Sequence, residues 1–339
     1  MLKLPFNRYP SFGKDDPEYA YACGRIKALE TKLLDRVRFE RLATSRDIEE
    51  LFKMLQDTEY SRYLNEIHKP SDFEILLKKE LERLFSLVSE LSVEPALERD
   101  LRLPYDFLNL KILVKSLIFE KDFSHAFSKY SYYPATLLKH ELETGKGDML
   151  MKEIYDAYEY AISSYYETRE VFRIDSAVDN VMYGYFANSS FFEFLRIYYN
   201  LNADLKNLIS FLRLERMGKL QALKHVLLAA GYLPQELFYK VPDFNTLLYE
   251  IRHTVYYQVL QPGYAQYQKT GSFVKMEKDV ANYLNGLVKE ASKKDLSVEV
   301  LISYFFRKKY EVSLLRMIMV SKLNQLPKEI VIERIPEVL

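Results

Sequence analysis

Two aspartates four residues apart, Asp175 and Asp179, are the nearest this sequence comes to a catalytic pattern. On a helix that spacing puts both carboxylates on one face, where they could hold Mg²⁺. Helical enzymes of that kind need a second acidic helix opposite. No second aspartate-rich helix is evident, since Asp15-Asp16 falls in a lead-in containing Pro5, Pro10 and Gly13. Ordinary solvated or capping carboxylates are therefore the preferred reading. His68, His125, His140, His225 and His253 lack the H-x-x-x-H spacing of a helical zinc site. The single cysteine, Cys23, rules out thiolate metal sites and intramolecular disulfides, fits a reducing compartment, and on a helix reads as a small buried apolar residue. Gly145-Lys146-Gly147 is too short to cradle a phosphate, and G-x-x-x-x-G-K-[ST] is absent. No catalytic, cofactor-binding or metal-ligating residue is assigned, and no cofactor is expected.

The elements that would have to position such residues are more informative, because they recur. Residues 204–213 read DLKNLISFLR; residues 106–115 read DFLNLKILVK and residues 311–320 read EVSLLRMIMV. Each stretch opens on a carboxylate: Asp106, Asp204 and Glu311. Each then repeats apolar residues at offsets of three and seven: Phe107, Leu110 and Val114; Leu205, Leu208 and Leu212; Val312, Leu315 and Met319. That spacing makes one apolar helix face. Asn109 and Asn207 also match, whereas the third copy has Leu314. A second repeat pairs DIEELFKMLQDTEY at 47–60 with DFNTLLYEIRHTVY at 243–256, aligning Asp47 with Asp243, Thr58 with Thr254 and Tyr60 with Tyr256. Phe85, Tyr183 and Tyr283 keep the same period of about 100 residues, as do the apolar-Pro pairs ending at Pro134, Pro234 and Pro327. Such a period exceeds the ~20–50 residues of solenoid repeats. Three helical units are expected, at 1–140, 141–238 and 239–339.

Composition agrees with long helices. Ten Gly and twelve Pro in 339 residues leave few tight turns, and no stretch alternates with period two, so an all-α fold with almost no sheet is expected. Lys and Arg number 48, as do Asp and Glu, so no global field draws nucleic acid or an acidic membrane surface. No apolar run approaches the ~20 residues of a membrane span, and the N-terminus lacks a signal-peptide core. A soluble chain that meets a membrane only through a partner is the expectation. Helix is expected from Pro17, with Ser45 or Asp47 capping the first repeat helix and Ser71 or Asp72 capping a long helix to Leu91. Residues 93–104 read as a linker and 261–271 as the longest loop. The recurring acids read as first-turn residues complementing the helix dipole, with a ring around a central opening as the alternative.

The chain resembles the C subunits of the archaeal and bacterial V/A-type rotary ATPases, relatives of the eukaryotic V-ATPase d subunits. The resemblance rests on EYAYACGRIKALETKLL near the start, DIEELFKMLQDTEYSRYL, and EVSLLRMIMVSKLNQLPKEIVIERI near the end, taken in order along nearly the whole chain. It implies three similar helical lobes around a pseudo-threefold axis, forming a funnel. It also implies a non-catalytic central-stalk role at the cytoplasmic face of the membrane. There the funnel would link D- and F-type shaft subunits to the proteolipid rotor ring and pass torque between ATP turnover and H⁺ or Na⁺ movement. A free-standing helical interaction scaffold is the alternative, and an enzyme using Asp175 and Asp179 comes third.

Overall fold

Each long apolar stripe in the sequence needs a partner surface, and the fold supplies one by packing helices side by side. The computed structural model describes residues 4, 6–145 and 149–339, so the Lys146-Gly147 part of the short Gly-Lys-Gly stretch lies outside the described residues. Among the described residues the structure is all-helical, with no strand. The helices are α1 (Ala20–Glu30), α2 (Arg36–Ala43), α3 (Ile48–Met54), α4 (Phe73–Leu91) and α5 (Pro95–Phe119). Then come α6 (Ala135–Thr144), α7 (Lys152–Thr168), α8 (Phe172–Asn188), α9 (Glu193–Arg216) and α10 (Gln235–Lys240). The chain closes with α11 (Phe244–Glu250), α12 (Val255–Thr270), α13 (Val274–Ala291), α14 (Val298–Leu323) and α15 (Lys328–Glu333).

The chain folds as two compact units, one built on Glu94–Thr254 and the other on Asn7–Val93 with Val255–Leu339. In the first, α8 packs against α5, α7 and α9. In the second, α14 packs against α1, α4 and α13, and α12 runs along α13. The three repeated stretches are parts of α5, α9 and α14. All nine of their stripe residues, from Phe107 to Met319, are buried, as are Phe85, Tyr183 and Tyr283. Burying each such side chain is worth about 1.5–3 kcal/mol, so these stripes anchor both cores.

Two boundaries differ from expectation. Residues 93–104 are no linker: α5 begins at Pro95, a residue suited to a first turn, and runs straight through Pro104. Residues 261–271 are no loop: α12 continues through Pro262 to Thr270. Gly263 is there for packing, since a Cβ would lie 2.5 Å from the Met276 Cα on α13. In both places tertiary packing outweighs the local helix-breaking tendency of Pro and Gly.

The earlier starts overturn the dipole reading of the acids. With α5, α9 and α14 starting at Pro95, Glu193 and Val298, Asp106, Asp204 and Glu311 lie about three turns inside their helices. The field of the N-terminus falls off within the first turn. All three are buried, so they line no opening either. A buried carboxylate needs partners.

Candidate functional site

The partners are backbone amides of a segment that follows each helix. On α5, Asp106 accepts the N–H of Tyr132 at 2.9 Å and of Tyr133 at 2.8 Å. One turn along, Asn109 donates from Nδ2 to the Ser128 carbonyl at 2.9 Å and accepts the Ser128 N–H at 2.7 Å. On α9 the arrangement repeats. Asp204 accepts the N–H of Tyr232 at 2.7 Å and of Leu233 at 3.2 Å. Asn207 donates to the Leu228 carbonyl at 3.0 Å and accepts the Leu228 N–H at 2.8 Å. A carboxylate and an amide at i, i+3 thus form a clamp that holds residues 128–133 or 228–233 against their helix.

Each clamp combines two charge-assisted bonds, about 1.5–3 kcal/mol apiece, with two neutral ones of about 0.5–1.5 kcal/mol. In the second clamp the chain comes so close that a Cβ on Gly231 would meet Asp204 Oδ1 at 2.1 Å, and its φ of +127° also favours glycine. Burial pushes the Asp106 carboxyl up to about 6, while the Tyr132 and Tyr133 N–H groups pull it back. Beyond each clamp, Pro134 and Pro234 enter the short helices α6 and α10 with nearly equal backbone angles, ψ 136° and 135°. Pro327 does the same before α15, with ψ 135°.

The third copy spends its acid differently. Leu314 is buried and, being apolar, has no amide to clamp with. Glu311 instead accepts the Leu34 N–H at 2.6 Å and the Tyr60 hydroxyl at 2.7 Å. The Lys308 ammonium sits 2.5 Å from Glu311 Oε1 and 2.8 Å from Glu80 Oε1, above the Tyr60 ring. Arg83 grips Glu80 with two bonds of 2.9 and 2.6 Å. Burial alone would lower the Lys308 pKa; the carboxylates of Glu311 and Glu80 outweigh it and raise it. Burial likewise works to raise Glu80, but Arg83 and Lys308 bring its carboxyl below the usual range. This network joins α4, α14 and the segments around Leu34 and Tyr60. Its members Glu80 and Lys308 went unread in the sequence. The available signal was a charge on an apolar face: Glu80 lies one turn from Leu76, Leu77 and Leu84, all buried.

The smaller repeat also has a physical job. Asp47 and Asp243 cap α3 and α11, accepting the N–H of Glu50 at 2.8 Å and Thr246 at 2.7 Å. Thr58 and Thr254 close the far ends, each hydroxyl donating at 2.7 Å to the carbonyl three residues back, Leu55 or Ile251. Ser45 caps nothing here; its hydroxyl donates to the Leu42 carbonyl.

Asp175 and Asp179 are tied up in ion pairs between α5 and α8. Lys115 lies 2.7 Å from Asp175 and Lys111 2.6 Å from Asp179. Carboxylates neutralised in this way lack the negative charge that would draw Mg²⁺. Among the described residues no group of three or more His, Cys, Asp or Glu is arranged to hold a metal. Cys23 is buried, donating to the Ser297 carbonyl at 3.4 Å, with its pKa raised by burial, the reverse of an activated thiol. The buried polar groups hold chain segments together; they are not directed at a reacting centre.

The sequence matches the ATP synthase (C/AC39) subunit family over residues 22–334. It is 25% identical to the A-type ATP synthase C subunit of Methanocaldococcus jannaschii, over 92% of this chain and 85% of that one. The A-type ATP synthase C subunit of Desulfurococcus sp. is 24% identical, over 88% and 85% of the two chains. The V-type sodium ATPase C subunit of Enterococcus hirae is 29% identical over a shorter stretch, 41% of this chain and 43% of that one.

Proposed function

Because the chain belongs to the ATP synthase (C/AC39) subunit family, we propose that it is a non-catalytic coupling component of a rotary ATPase, a socket between the central shaft and the membrane ring. Its partners in this reading are D- and F-type shaft subunits on one side and the proteolipid ring on the other, at the cytoplasmic face of the membrane. In this reading the three repeats form similar lobes about a pseudo-threefold axis, and the resulting funnel is the socket. The observation that carries the reading is the family match over residues 22–334, nearly the whole chain. The buried clamps support it, because a part that transmits torque has to resist shear between its helices. Interlocked carboxylate, amide and lysine networks stiffen helix-to-segment contacts in a way that apolar packing alone does not. Among the described residues no helix is long and apolar enough to cross a membrane, in keeping with a ring met through its exposed loops.

The test is reconstitution of the complex in vesicles with and without this chain, measuring ATP hydrolysis and ion movement together. Hydrolysis should persist without the chain while ion movement stops. Undiminished pumping in its absence refutes the coupling role. Recovery from cells with unrelated proteins, and with no shaft or ring component, would favour the free-standing scaffold instead.

A further inference from the structure

Between α8, α9 and the segment around Val226–Leu228 lies a cavity of about 390 Å³. That is within the size range of small-molecule sites, roughly 300–1,000 Å³. Its polar lining comes from two facing helices. Ser176, Asp179 and Tyr183 stand at i, i+3 and i+7 on α8; Lys206, Ser210 and Arg213 stand at i, i+4 and i+7 on α9. Both sets therefore share one helix face.

The charged residues that line this cavity are Asp179, Lys206 and Arg213. Asp179 already faces the Lys111 ammonium at 2.6 Å. No carboxylate among the described residues comes within ion-pair distance of Lys206, whose ammonium lies 4.8 Å from the centre of the Tyr183 ring. Lys206 is solvent-exposed, while the protein packed beside it lowers its pKa by desolvation, with the charge of Asp179 working against that. The fold does not require a cation here. The corresponding residue is Leu108 on α5 and Ser313 on α14, although both helices carry the same apolar stripe. The segment that lines the cavity at Leu228 is held at two points: Asn207 accepts the Leu228 N–H and Asn180 of α8 accepts the Ala229 N–H, both at 2.8 Å.

We propose that this cavity binds a phosphate group. Lys206 is its counter-charge, and the Ser176 and Ser210 hydroxyls donate to its oxygens. An anion here meets the Lys206 ammonium beside two hydroxyls, and the Asp179 carboxylate of the same cavity is already paired with Lys111. Such a site stands apart from the coupling role and does not depend on it. The phosphate could be free or could be the headgroup of a lipid.

Two probes on the full chain separate these sources. Inorganic phosphate is titrated against chloride at matched ionic strength, with the Lys206 side chain followed by NMR of isotope-labelled lysine. In parallel, phosphatidylcholine vesicles with and without phosphatidic acid are floated with the protein. Saturable phosphate binding that raises the Lys206 pKa is expected. It should weaken at least tenfold in Lys206→Leu and survive in Lys206→Arg. Lys206→Leu copies the residue of the first repeat and should melt like the parent. If it does not fold, Ser210→Ala tests the site without touching the charge and should weaken binding severalfold. Flotation that needs both phosphatidic acid and Lys206 assigns the headgroup; phosphate binding without flotation assigns the free anion. Absence of saturable binding to either probe, or equal binding by the parent and its Lys206→Leu and Ser210→Ala variants, overturns the proposal.

Discussion

Replacing Asn207 by Leu would give α9 the residue that α14 carries at the same register, Leu314, and so would test whether the clamp or the stripe holds residues 228–233. The substitution removes a bond to the Leu228 carbonyl and one from the Leu228 N–H, at 3.0 and 2.8 Å. The two losses are unequal. The carbonyl keeps Gln235 Nε2 at 3.2 Å, whereas the N–H has no second acceptor among the described residues. An orphaned buried donor costs about 1–3 kcal/mol, and the lost carbonyl bond adds about 0.5–1.5 kcal/mol. The Leu side chain, of similar size and buried, returns about 1 kcal/mol. The net expectation is a loss of about 2 kcal/mol. Urea unfolding of the parent and variant reads the global change, with the slope checked for constancy. Hydrogen exchange at the Leu228 amide reads the local one, which should accelerate about thirtyfold if that loss falls on local opening. A change below about 0.5 kcal/mol, with the Leu228 amide equally protected, would refute the clamp as a stabilising device.

Lys308→Met leaves Glu80 and Glu311 facing each other in the core and should cost about 3–5 kcal/mol in unfolding experiments. Adding Glu80→Gln and Glu311→Gln should recover a large part of it, and no recovery would mean that the charges are not the cause. The pH dependence of Asp106 has a definite sign. Its folded pKa of about 6 lies above the ~3.9 of a free aspartate, so the folded chain holds the proton more tightly. Its contribution should therefore raise stability as pH falls from about 6 to about 4, by on the order of 2 kcal/mol, and Asp106→Asn should lack that rise in pH-resolved melting. Gly231→Ala pushes a Cβ to 2.1 Å from Asp204 Oδ1 and should destabilise by more than about 1 kcal/mol while exposing the Tyr232 amide to exchange. Unchanged Tyr232 protection would show that the segment relaxes without opening the clamp.

Several features of this chain could be read from local pattern alone. Offsets of three and seven can bury side chains only on a helix, so the stripes of α5, α9 and α14 followed from residue spacing. The cap of α3 was narrowed to Ser45 or Asp47 by short polar side chains placed before an apolar run, and the ordered marks along the chain also carried the family resemblance. Those signals are local because helix periodicity and capping act within one or two turns. The job of the repeated acids was not local. Asp106 meets amides 26 and 27 residues ahead, Asp204 meets them 28 and 29 ahead, and Glu311 reaches back 277 residues to Leu34. Sequence spacing contains nothing about such distances, so a mid-helix carboxylate could not be told from a first-turn one. The breaks expected at Pro104 and at Pro262–Gly263 failed for a related reason: apolar packing against neighbouring helices outweighs a missing backbone hydrogen bond. Only the folded chain decided that Asp175 and Asp179 would meet Lys115 and Lys111 rather than a metal. It likewise decided that Lys206 would line a cavity whose carboxylate, Asp179, is already paired with Lys111. Periodicity determines which residues go inside; which polar groups then meet depends on contacts that form only once distant segments have packed.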